Sequence, residues 1–144
     1  MEHDIEAAYG RSLPDFIRVV PEGFQIAGQV EPTMRVSIQD EQVTRKLWDR
    51  GRILCQSLDG LSSLTTGKAC RVCRNQRRCT SRLILYILLD DAPFRLPLNF
   101  TSAQNYLAYR RRILDGGNEL YHVRTALSVV SHATWGEVQF QELL

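Results

Sequence analysis

The sequence predicts an all-β or β-rich α+β protein, a small five-stranded barrel with one helix between its third and fourth strands. Three observations carry this expectation. Residues 83–89 form a continuous apolar run, which suits a strand buried on both faces. Two later stretches alternate apolar and polar side chains as half-buried strands do. Between them lies a segment with helical spacing, a capping pattern and a glycine stop. At 144 residues, 44% hydrophobic and 24% charged, the chain has the size and composition of one globular domain. Wholesale disorder and collagen-like repeats are excluded.

Taken in order, residues 1–33 are loosely patterned and read as an N-terminal extension that packs on a domain spanning 34–144. Runs at 16–20 and 24–30 are β-prone, separated by Pro21-Glu22-Gly23, a turn signal. A strand is expected at 34–38. Asp40 then caps a helix over 41–50, with Val43, Leu47 and Trp48 on one face and Gly51 as its stop. Residues 52–57 read as the first barrel strand, ending in Asp59-Gly60. A long basic loop follows, then the 83–89 strand, and Asp90-Asp91-Ala92-Pro93 makes the turn. Phe94, Leu96, Leu98 and Phe100 alternate with polar residues and Pro97, which lacks an N–H and so marks an edge or a bulge. Thr101-x-x-Gln104 fits a capping box. Ala103, Tyr106, Leu107, Ile113 and Leu114 share a helix face. Arg110, Arg111 and Arg112 complement the negative end of the helix dipole before Gly116-Gly117 ends it. Alternation from Tyr121 to Val129, a turn over 131–136 and a strand over 137–143 complete the chain.

The net charge of +2 conceals an asymmetry. Residues 1–50 carry six bases and nine acids, residues 51–82 seven bases and one acid, and residues 83–144 five bases and six acids, giving −3, +6 and −1. The basic stretch also holds every cysteine. Cys55, Cys70, Cys73 and Cys79 give C-x14-C-x2-C-x5-C. No apolar leader or membrane-length run is visible, so a reducing cytoplasm is expected, where clustered cysteines favour metal over disulfides. Four thiolates satisfy tetrahedral zinc without an open position, so one structural Zn²⁺ in a knuckle over 55–79 is the expectation. An iron–sulfur cluster uses the same ligands, and disulfides or free thiols are the remaining readings.

Lys68, Arg71, Arg74, Arg77, Arg78 and Arg82 interleave with these cysteines. One or two arginines would offset the charge of a tetrathiolate site; six suit a row of phosphates, whose neutralisation releases counterions. The element order matches the OB-fold, a partly open Greek-key barrel that binds oligonucleotides between its first and last loops. The basic loop would join strands one and two. The loop between strands four and five holds His132 and Trp135, either able to stack on a base. Tyr86, Arg95 and Asn99 are further candidates to line the groove.

The run Cys55-Gln56-Ser57-Leu58-Asp59-Gly60, then the C-x-x-C pair, the single Cys79, the apolar strand and Pro93-Phe94-Arg95-Leu96 resemble a family of small zinc-containing proteins. That family is encoded by phages and other mobile elements, and the resemblance spans residues 34–144. It implies an OB-fold that binds single-stranded DNA. Many members have Pro soon after Asp-Gly and after the C-x-x-C pair, where this chain has Leu61-Ser62-Ser63 and Arg74.

The expectation is therefore a non-catalytic nucleic-acid-binding protein, with single-stranded DNA favoured over RNA and no membrane partner. The alternative is an adaptor subunit of a larger nucleoprotein complex in transposition or defence, reaching partners through residues 1–33. An enzyme is disfavoured. No Gly-rich phosphate loop, H-E-x-x-H or G-x-S-x-G is present, and His3, His122 and His132 are scattered.

Overall fold

A computed structural model describes residues 13–50, 52–57 and 79–144, with the side chains of 47–49, 52–55 and 57 excepted. The strands are β1 (Asp15–Phe16), β2 (Arg18–Val20), β3 (Gly23–Ile26), β4 (Gln29–Glu31), β5 (Thr33–Asp49), β6 (Arg52–Ser57), β7 (Thr80–Leu89), β8 (Ala92–Leu98), β9 (Arg124–His132) and β10 (Trp135–Leu143). Helix α1 covers Phe100–Asp115, and a 3-10 turn covers Leu120–His122. Seven strands form one sheet in the order β1-β8-β7-β5-β9-β10, with β6 attached to β5. Strands β2, β3 and β4 form a second sheet. The β-rich α+β expectation holds.

The organising element is β5, and it corrects the expected helix at 41–50. This strand pairs with β9 over Thr33–Val36, with β7 over Ser37–Lys46 and with β6 over Arg45–Asp49. Val43 and Thr44, stiff at χ1, sit better on a pleated surface than in a helix. Asp40 caps nothing. At a bulge between Ile38 and Asp40 its Oδ1 accepts the Glu41 N–H at 2.8 Å. Residues 52–57 are a strand as expected, but an added one beside β5 rather than the first of the barrel.

The 83–89 run is buried on both faces. Leu83, Leu85 and Ile87 join the main core with Met34, Val36, Ile38, Leu96, Leu98, Leu127 and Val138; Ile84 and Tyr86 form a smaller cluster on the other face. Pro97 lies beyond the two-residue β1, on a stretch of β8 without an outer partner among the described residues. It suits an edge, as expected. Helix α1 closes the core with Tyr106 and Tyr109, whose rings lie 5.6 and 5.8 Å from Phe140. Its N-cap is Asn99, not Thr101: the Asn99 Oδ1 accepts from Ser102 N at 2.9 Å. Leu107 and Leu114, expected on the buried face, are exposed, and Tyr109 takes that role.

The expected barrel is not closed: among the described residues β10 pairs with β9 and with no other strand. Closure would require β8 to pair with β10. Instead Asn99 Nδ2 donates to Gly136 O at 3.0 Å, Val138 N donates to Ser102 Oγ at 2.8 Å, and Asn105 Nδ2 donates to Val138 O at 3.0 Å. Polar side chains of the α1 N-terminus thus occupy the edge groups a strand would take, one way a sheet edge is protected. Strand β2 contacts both β8 and β10 at this seam. It approaches so closely that a Cβ on Gly136 would lie 2.6 Å from Val20 O. Ile17 and Phe24 enter the main core from the same N-terminal segment.

The β7–β8 turn stores strain. Asp90 and Asp91 both have positive φ, 49° and 65°, the pattern of a type I′ turn that favours Asn-Gly. Substituting Asn-Gly for Asp90-Asp91 is expected to stabilise the fold by about 0.5–1 kcal/mol, measured by urea unfolding with an unchanged slope.

Candidate nucleic-acid interface

Beyond the core, β5, β6 and β7 continue as a three-stranded arm. Lys46 pairs with Gln56 on one side and Thr80 on the other; Arg45 pairs with Ser57 and Ser81. Ser57, the last described residue of β6, and Thr80, the first of β7, therefore flank β5 at nearly the same level. Lys68, Arg71, Arg74, Arg77 and Arg78 lie outside the described residues. Arg82, opposite Thr44 and exposed, stands two residues from Thr80. Arg50 is exposed at the arm's far end.

This placement redraws the basic region. Residues 43–84 hold ten Lys and Arg against Asp49 and Asp59, or +8; the other eight bases and fourteen acids sum to −6, and together they return +2. Arg45 and Lys46 were missed because residues 41–50 read as a separate helix. The signal available was the β-branched pair Val43-Thr44.

The expected zinc site is corrected. Among the described residues no group of three or more His, Cys, Asp or Glu side chains can hold a metal. Cys55 pairs with Leu47 on one side of β5, while Cys79 precedes Thr80, which pairs with Lys46 on the other. Strand β5 thus stands between β6, which holds Cys55, and β7, which begins just after Cys79. Thiolates sharing one zinc must each come within about 2.3 Å of it. Cys70, Cys73 and the side chain of Cys55 lie outside the described residues.

The other sequence candidates separate into two groups. Three serve the fold. Tyr86 is 2% exposed and donates its hydroxyl to Gln42 Oε1 at 2.7 Å. Asn99 caps α1 and ties it to Gly136. Arg95 donates to Pro14 O at 2.6 Å and lies over the Phe16 ring at 3.8 Å, fastening the N-terminal segment to β8. His132 and Trp135 remain at the surface, on the tip of the β9–β10 hairpin.

The three helix arginines are engaged locally. Arg110 Nη1 donates to both carboxylate oxygens of Glu41 at 2.6 Å, which holds the guanidinium's pKa above its ordinary value. Arg111 lies 3.9 Å from Asp115, and Arg112 lies 5.9 Å from the Tyr109 ring centre. The same Glu41 Oε1 accepts the Tyr106 hydroxyl at 2.9 Å. Burial first, and the Glu41 charge second, push the Tyr106 pKa far above the usual tyrosine range; burial also raises that of Tyr109. A raised folded-state value contributes stability that is complete below about pH 10 and is lost as pH rises beyond it. The thermal midpoint is thus expected to hold to about pH 9 and fall above about pH 10. Tyr106→Phe should flatten that fall, read from circular dichroism melts.

Among the described residues no helix is long and apolar enough to cross a membrane. No protein-family model, curated protein or solved structure matches the chain.

Proposed function

We propose that this chain is a non-catalytic nucleic-acid-binding protein, with single-stranded DNA as its favoured ligand, built on an OB-type barrel left open at one seam. The connectivity supports that architecture. A long strand β5 pairs with β9 near its start and with β7 beyond, β7 pairs with β8, α1 joins β8 to β9, and β9 pairs with β10. The observation that carries the function is the arm. Residues 58–78 carry five bases and one acid, and the flanking residues Ser57 and Thr80 pair with Arg45 and Lys46. A charge of +8 over residues 43–84 in a chain that is otherwise −6 suits a polyphosphate backbone, whose binding is driven largely by counterion release.

The test is a salt titration with fluorescent single-stranded and duplex oligonucleotides of equal length. Engagement of about six phosphates predicts an affinity loss of about 300-fold for the single strand between about 50 and 200 mM salt. The single strand is expected to bind more tightly than the duplex. An affinity that does not change with salt rejects the proposal, and tighter duplex binding rejects the single-strand assignment.

A further inference from the structure

The tip of the β9–β10 hairpin carries a feature that the basic arm does not explain. Trp135 and His132 are cross-strand partners whose rings lie 4.3 Å apart at 16°, a stacked pair. Both face solvent: Trp135 is 39% exposed and the imidazole 40%. Yet the pair is held. His132 Nε2 lies 2.8 Å from Glu137 Oε1, and Glu137 Oε2 accepts from Asn105 Nδ2 at 2.8 Å. These hydrogen bonds, Asn105 first and His132 next, keep the Glu137 carboxyl below its ordinary pKa, so it stays an acceptor. Asn105 is fixed in turn by donating to Val138 O at 3.0 Å. A helix side chain therefore positions an exposed ring on another exposed ring. Phe100, 80% exposed, follows Asn99, whose amide bonds Gly136 beside Trp135.

Resting on the nucleic-acid reading, we infer that this tip is a base-stacking contact separate from the phosphate-binding arm, with Asn105 and Glu137 as its positioning residues. The main core draws on neither Trp135 nor His132, and tryptophan, with an apolar body and a polar N–H, is enriched at interfaces. Rings already stacked and hydrogen-bonded have little freedom left to lose when a ligand arrives. Arg45, Lys46 and Arg82 lie on the paired stretch of β5 and β7, at the other end of β5 from the strand that leads to the tip, so the tip is assigned to the base and not the phosphate. Every base has a π face, so the contact tolerates any sequence. Register also sets a length requirement. Lys46 lies thirteen residues along β5 from Thr33, which pairs with Ser128, four residues before His132. A strand that reaches both arm and tip must run the length of β5.

The test compares a thirty-nucleotide oligothymidylate with an abasic deoxyribose-phosphate chain of the same length, on the full chain. Trp135→Ala is expected to weaken the oligothymidylate about 5- to 150-fold, the range of one stacked base, while leaving the abasic chain and the salt slope unchanged. Trp135→Phe keeps a ring and should retain most of the affinity. Glu137→Ala should show a smaller loss, confined to the base-bearing ligand, because it releases His132 without removing a ring. Equal binding of both ligands by the wild type, or equal weakening of both by Trp135→Ala, overturns the stacking contact and leaves the phosphate reading intact. If the wild type binds neither ligand at low salt, both readings fall together.

Discussion

Replacing Phe24 with alanine is expected to cost about 3–5 kcal/mol of folding stability, the usual range for a fully buried phenylalanine. Its ring has no exposure and packs in the same cluster as Leu85, Leu96 and Val138. The location makes the prediction informative. Phe24 belongs to the small β2-β3-β4 sheet, and β2 fills the seam between β8 and β10 that pairing would close in a complete barrel. Ile17 enters the core from the same segment, and its N–H donates to Arg95 O at 2.8 Å. Residues 13–31 thus contribute Ile17 and Phe24 to the main core. A loss of this size is a large share of the 5–15 kcal/mol typical of a domain. It is read as a lower urea midpoint at constant slope. A cost below about 1 kcal/mol would mean that the barrel holds its core without the segment.

That segment shows where the sequence is and is not legible. The 83–89 run was readable because a strand buried on both faces needs apolar residues at every position, and Leu85 and Tyr86 do lie in different clusters. Pro97 was readable because its missing N–H restricts it to an edge. Strands β9 and β10 were readable because one face is core and the other solvent, so Leu127, Val138 and Phe140 fall at alternate positions. Strand β5 was not. Gln39 is inserted at the bulge, so the inward positions run Met34, Val36, Ile38 and then Glu41. That one-residue slip breaks the period of two and leaves spacings that imitate a helix. The helix start was displaced too. Thr101-x-x-Gln104 and Asn99-x-x-Ser102 are both plausible caps in sequence. In the structure Asn99 is the cap, accepting from Ser102 N, and its amide is also bonded to Gly136 O. The cysteine spacing led to a zinc site that the described residues do not form.

The binding reading makes its largest demand on the arginines of the basic stretch. Substituting Arg74, Arg77 and Arg78 together by alanine is expected to weaken oligonucleotide binding on the order of 10²-fold at about 0.1 M salt. Each phosphate contact contributes about 0.7 to the single-strand salt slope, so three lost contacts lower it by about two and cost about two powers of ten at that salt. The loss should be uniform across sequences, because phosphates carry no base identity. The same substitution of Arg110, Arg111 and Arg112 is expected to change the slope little, since Arg110 is bound to both oxygens of Glu41 and Arg112 lies near the Tyr109 ring. Its main effect should be on stability, through the Glu41 carboxylate and Tyr106 hydroxyl left behind in a partly buried cluster. Fluorescence anisotropy at several salt concentrations measures both slopes, and a thermal melt of each variant separates lost binding from lost fold. A steeper loss from the helix variant would move the phosphate contacts onto α1. An unchanged slope in the Arg74, Arg77 and Arg78 variant would leave the arm without a role in binding.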